Sequence, residues 1–122
     1  MSLIRFTLFS FIFVLIAGGC ASVDVKEKET ETIKPSGVHE DCMELLKGQT
    51  LDYSFDSSKP LNFNIHYHED HNVSYVVQKD GISSDHGTYN SGKKQYYCLM
   101  WTNSNSEPVK LKYAYGKSKK QD

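Results

Sequence analysis

The sequence predicts an all-β domain, a small antiparallel β-sandwich of jelly-roll-like form, carried behind a leader and a charged spacer. Three observations carry that expectation. Apolar residues alternate with polar ones along residues 49–56, 61–68 and 109–115, the period of a strand with one face in a core. Eight tyrosines and six phenylalanines in 122 residues suit a half-buried pleated surface better than a helical bundle. Turn chemistry recurs between the alternating runs, at Gly48, at residues 57–60, at Gly81 and at Gly92.

Taken in order, the first twenty residues, MSLIRFTLFSFIFVLIAGGC, read as an export signal. Arg5 supplies the positive start, residues 6–16 run without a charge, and Ala17, Gly18 and Gly19 are small enough for a signal peptidase. The run is shorter than the roughly 20 apolar residues that a spanning helix needs, so a removed signal over residues 1–19 is expected. An ordinary secretory cut after Gly19 or Ala21 would leave Cys20 free or remove it. Small residues directly before a cysteine resemble the lipobox of bacterial lipoproteins, here with Ala17 where that family usually has leucine. The resemblance implies that Cys20 is diacylated and becomes the mature N-terminus, and Ala21 after it favours the outer membrane, facing periplasm or medium.

Cutting after Gly19 leaves 103 of the 122 residues, enough for one domain with one modest core. Only Arg5 is lost among the charged groups, so the formal net charge moves from −1 to −2, and no basic footprint for nucleic acid exists. Three cysteines leave one odd thiol in an exported chain, unless Cys20 is consumed by lipid and Cys42 pairs with Cys98.

Residues 20–37 alternate charges with threonine and offer little to bury, which predicts a lipidated N-terminus and flexible linker. The folded part is expected over 38–116. Residues 39–47 fit one helical face or a strand equally. Strands follow over 49–56 and 61–68, separated by a turn at 57–60. The cleanest alternation is LNFNIHYH, with Leu61, Phe63, Ile65 and Tyr67 on one face and Asn62, Asn64, His66 and His68 on the other. Residues 69–72 turn the chain, and 73–78 return with Val73, Tyr75 and Val77 on one face. A turn at 79–81, a loose stretch at 82–86 and a short strand at 87–90 come next. Residues 94–103 are apolar on both faces, which predicts a central strand. The last strand spans 109–115, and 117–122 form a solvated tail.

The order of features, Cys42 and Met43, Gly48, two strands with alternating aromatics, then Tyr97 and Cys98 running to Asn103 before a last strand, resembles the GOLD family of compact β-sandwich domains. That resemblance covers residues 38–115. It implies a disulfide between Cys42 and Cys98 and a tendency to bind other proteins.

One constellation has metal-ligand chemistry. In HYHEDH, His66 and His68 share a strand face, and His71 beyond the turn could swing towards them with Glu69 or Asp70 as a fourth ligand. Imidazoles with a carboxylate suit zinc or copper. The competing reading makes His66 and His68 the polar alternates of a wet face. Adjacent acids such as Glu40 and Asp41 point to opposite faces of a strand, and no serine has a nucleophile-elbow context. The expectation is a non-enzymatic module without a resident cofactor, contacting a membrane through its lipid and another envelope protein through its domain. The alternative is a periplasmic zinc or copper protein using His66, His68 and His71.

Overall fold

The structure, a computed structural model, describes residues 23–25 and 28–119; the leader and Cys20 lie outside them. The described chain is strand and turn throughout: β1 (Val23–Val25), β2 (Glu29–Ile33), β3 (Val38–Leu45), β4 (Thr50–Glu69), β5 (Asn72–Asn90), β6 (Gln95–Thr102) and β7 (Val109–Ser118). All pairings are antiparallel, as expected for an all-β sandwich. Among the described residues no helix is long and apolar enough to cross a membrane.

The 20-residue β4 organises the fold. Flat, it would span about 66 Å at 3.3 Å per residue, far more than a hundred-residue domain with a radius of gyration near 13 Å can hold. It therefore bends. Its first half pairs with β7 over residues 51–57, its second half with β6 over 62–66, and β5 follows its other edge through both halves. The bend falls where the sequence has Ser57, Ser58 and Pro60, and where the register with β5 slips between Asp56 and Leu61. The expected turn at 57–60 is thus a corner within one continuous strand, the register slip absorbing the change of direction. Odd-numbered residues face inward on both sides of it, so Leu51, Tyr53 and Phe55 meet Phe63 and Ile65 across one core.

Two further expectations are corrected at the chain ends. The linker predicted over 20–37 holds β1 and β2, both paired to β7, because Ile33 has an apolar slot beside Val109 and the acidic β2 lies along a strand bearing Lys110 and Lys112. At the other end β7 continues to Ser118, so residues 117 and 118 are strand rather than tail. The 39–47 stretch resolves as the strand β3.

The inner face of β5 is polar where it closes the side of the core. Asp85 accepts hydrogen bonds from the Tyr53 hydroxyl at 2.9 Å and from Lys79 Nζ at 2.7 Å, clasping the bend at Gly81, whose φ of 65° suits glycine. Burial tends to raise the Asp85 pKa, but the bonds from Lys79 and Tyr53 outweigh it and hold the carboxyl below its ordinary value. A depressed carboxyl stabilises the fold above its unfolded pKa of about 3.9 and loses that contribution as pH falls through the folded value. Asp85→Ala should therefore cost about 1–2 kcal/mol at pH 7. In urea titrations the gap between the two proteins should close progressively below about pH 4; a gap that stays constant down to pH 2 would contradict this assignment.

Candidate functional site

The four strands β3, β6, β4 and β5 form one sheet whose outer face carries the unusual chemistry. Register fixes who sits there. Cys42 is opposite Cys98, Cys98 is opposite His66, and His66 is opposite Tyr75, which makes one transverse row. A neighbouring row holds Glu40, Met100, Asn64 and Gln78, and another holds Glu44 and Tyr96 near His68 and Val73.

A bulge decides the β5 contribution. Ile65 pairs with Val77 and His66 with Tyr75, leaving Val76 as the extra residue. The slip reverses the facing of the strand, as a one-residue shift must. Val73 and Tyr75 therefore point outward while Val77 packs inward, which corrects the expectation that all three share a face.

The consequence is an apolar surface. Four large hydrophobic side chains are exposed in the described chain: Val38 at 55%, Val73 at 43%, Tyr75 at 51% and Tyr96 at 65%. All four fall on this single face. Val73, Tyr75 and Tyr96 lie in adjacent rows around His66 and His68, while Val38 stands at the far end of β3 beside Thr102. Apolar side chains exposed together on one face mark a candidate contact surface.

His66 sits in the middle of that face yet is only 3% exposed, because Tyr75, His68, Glu40 and Asn64 surround it. Asn64 Oδ1 lies 2.7 Å from Nδ1, and Glu40 Oε2 lies 3.5 Å from Nε2. Burial pushes the His66 pKa down, partly offset by the Glu40 charge and reinforced by His68.

The predicted metal residues divide. His66 and His68 do share the face, with ring centroids 5.1 Å apart. His71 does not join them: it lies in the turn after Asp70, whose φ of 55° reverses the chain. Glu69 is engaged by Lys93 and by Gln95 at 2.9 Å. Among the described residues, the group of three or more ligand atoms all within 4.8 Å of one another is Glu40, Cys42 and Cys98. Its two sulfurs are bonded to each other.

The Cys42–Cys98 disulfide joins directly opposed residues of β3 and β6 with Cα atoms 4.0 Å apart. Such bonds persist in oxidising compartments, which points to a site of action outside the cytoplasm. Cys20 lies outside the described residues. Glu40, Tyr75 and Tyr96 were not singled out from sequence. The disulfide register was the available signal for Glu40, since pairing Cys42 with Cys98 fixes every neighbouring position on both strands.

A second polar group lies inside, at the seam of β3 and β7. The Tyr113 hydroxyl lies 2.7 Å from Asp41 Oδ2, 2.8 Å from Glu29 Oε2 and 3.0 Å from His39 Nε2. Burial and the two carboxylates push the Tyr113 pKa upward, so the phenol stays protonated and ties three strands together.

No family model and no curated protein matches the chain. Several solved structures are similar in fold, among them those of two bacterial proteins. PliG of Aeromonas hydrophila, a periplasmic lysozyme inhibitor of g-type lysozyme, aligns with a TM-score of 0.63 at 13% identity over 81% of this chain and 90% of its own. The Yersinia pseudotuberculosis-derived mitogen YPM aligns at 0.54 and 14% identity, over 83% and 90%. At such identities the likeness is one of architecture: a curled antiparallel β-sandwich.

Proposed function

We propose that this chain is a cell-envelope protein, held at the outer membrane by lipid on Cys20, that binds another protein through the outer face of the β3, β6, β4 and β5 sheet. The observation that carries the binding role is the exposure of Val73, Tyr75 and Tyr96 in adjacent rows of one face, with Val38 further along the same face. Aromatic side chains of this kind are enriched at the centres of protein interfaces. Glu40 and Glu44 border the patch, so the complement is an apolar surface flanked by cationic groups.

The anchor is supported by the lipobox-like leader and by cysteine use, since the disulfide takes two of three thiols and leaves Cys20. Its consequence is close attachment. Only three residue steps separate Cys20 from β1, a reach of at most about 11 Å, so the anchored domain sits against the bilayer rather than on a long tether. The fold likeness to PliG makes an enzyme inhibitor one version of this binding role, with g-type lysozyme as a direct probe.

Site-specific photo-crosslinking in native envelopes tests the reading. A benzophenone side chain at Tyr96 or Val73 should give a discrete heteromeric adduct, absent when the label is at Lys112 on β7 in the other half of the curled sheet, and lost from the Val73 label in a Tyr75→Glu background. Equal adducts from the labels on both halves of the sheet, or adducts with the mass of two copies of this chain, would refute it.

A further inference from the structure

We propose that Glu40, His66 and His68 form a surface zinc site, assembled across β3 and β4 on the outer face of the sheet. The site is independent of the docking role above and uses a ligand set that the local sequence pattern around His71 does not indicate.

The starting point is an unresolved contact. Asn64 Oδ1 can only accept, so the 2.7 Å approach to His66 Nδ1 puts the ring proton there, and Nε2 presents a lone pair. That lone pair faces the Glu40 carboxylate at 3.5 Å. Two acceptors thus confront each other at a nitrogen that is almost wholly withdrawn from water. Either a proton on Nε2 or a cation between the two atoms satisfies both, and His68 beside them favours the cation.

The spacing suits zinc. Ligands bound at 2.0–2.2 Å and subtending a tetrahedral angle lie about 3.4 Å apart, close to the separation found here. The proton on Nδ1 held by Asn64 is also the outer hydrogen bond that fixes the tautomer and aim of a metal-bound imidazole. His68 supplies the third ligand. It follows His66 by two residues on the same strand face, its ring stands edge-on 5.1 Å away, and it is exposed. As the side chains stand, the three ligand atoms do not all lie within 4.8 Å of one another, so binding requires His68 to turn about its side-chain torsions. The disulfide sulfurs have no thiolate to offer, which leaves the fourth position to water or to a group from outside.

Nitrogen and oxygen ligands on a solvent-facing sheet match a borderline divalent ion rather than calcium or magnesium. An open position facing outward makes the site able to bridge to a carboxylate or imidazole of a second molecule.

The test is zinc titration of the untagged full chain in detergent, followed by calorimetry. One Zn²⁺ per chain should bind with micromolar affinity, at least tenfold more weakly in Glu40→Gln and His68→Ala, and unchanged in His71→Ala. Glu40→Gln is isosteric and exposed, so its fold is secure. His66 is buried, and its role is read without mutation. Long-range ¹H–¹⁵N spectra of the metal-free protein should show Nδ1 protonated and Nε2 bare, with Nε2 shifting on zinc addition. Absence of micromolar binding, undiminished affinity in Glu40→Gln, dependence on His71, or a proton on Nε2 in the metal-free chain would each overturn the proposal.

Discussion

Replacing Trp101 with alanine is expected to cost about 3–5 kcal/mol, the range for deleting a fully enclosed large aromatic side chain. A small domain has only about 5–15 kcal/mol to lose, so the variant should sit close to its unfolding threshold at ordinary temperature. Trp101 stands on β6 with no exposure, and its ring lies 5.4 Å from Phe63, 5.7 Å from Phe55 and 4.7 Å from Tyr113. Those three come from both halves of β4 and from β7, so the indole is the contact through which the two halves of the curled sheet meet. Removing it leaves a cavity between layers that cannot collapse without unbending β4. Thermal unfolding followed by circular dichroism should show the midpoint falling by roughly 15–30 °C. Trp101→Phe should be much milder. It keeps a ring in place, and it deletes an indole N–H that has no acceptor among the described residues. Tyr96→Ala, on the same strand with its side chain in water, should change stability by less than about 0.5 kcal/mol. Comparable losses at positions 96 and 101 would mean that the facing of β6 is reversed.

Much of this architecture is legible in the residues, and the parts that are not share a cause. Local alternation locates the strand interiors of β4 and β7, because side-chain facing is a property of neighbouring residues. What alternation cannot give is pairing. Residues 57–60 and 79–81 look like turns because serine, proline and glycine accept sharp backbone geometry, but in a long bent hairpin the same residues serve as a corner that the partner strand keeps in register. Residues 29–33 look like spacer because their own burial is small; they become strand through the open edge of β7, which is distant in sequence.

The candidate face shows the same limit. β6 reads as apolar on both sides, and a central strand is the correct inference, yet its second apolar side is not a second core. Tyr96 remains exposed and belongs to the surface patch. The facing of Tyr75 depends on one extra residue, Val76, which no period-two pattern announces. Grouping His66 with His71 follows nearness along the chain, whereas the register brings Glu40 of β3 to His66 from 26 positions away.

Loss of the Cys42–Cys98 bond is the second large effect, and it should be both global and directional. The bond closes a loop with a sequence separation of 56 that contains the whole of β4 and β5. In the chain-entropy account, freeing such a loop stabilises the unfolded chain by up to about 4 kcal/mol, with about 2–4 typical in practice. The paired variant Cys42→Ala/Cys98→Ala, or mild reduction, should therefore lower the urea midpoint strongly, with a steeper slope because the freed unfolded chain exposes more surface. The directional part follows from topology. Among the described strands β3 is an edge that pairs with β6 through an eight-residue ladder, whereas β6 is held on both sides. Amide hydrogen exchange in the variant should thus accelerate first along Val38–Leu45, with Gln95–Thr102 retaining protection. Because Val38 and Glu40 ride on β3, partner crosslinking at the patch and zinc affinity should weaken in conditions where the rest of the sandwich is still folded. Uniform loss of protection across both strands would instead mean that the bond acts on the unfolded chain alone, and that the ladder by itself keeps β3 in place.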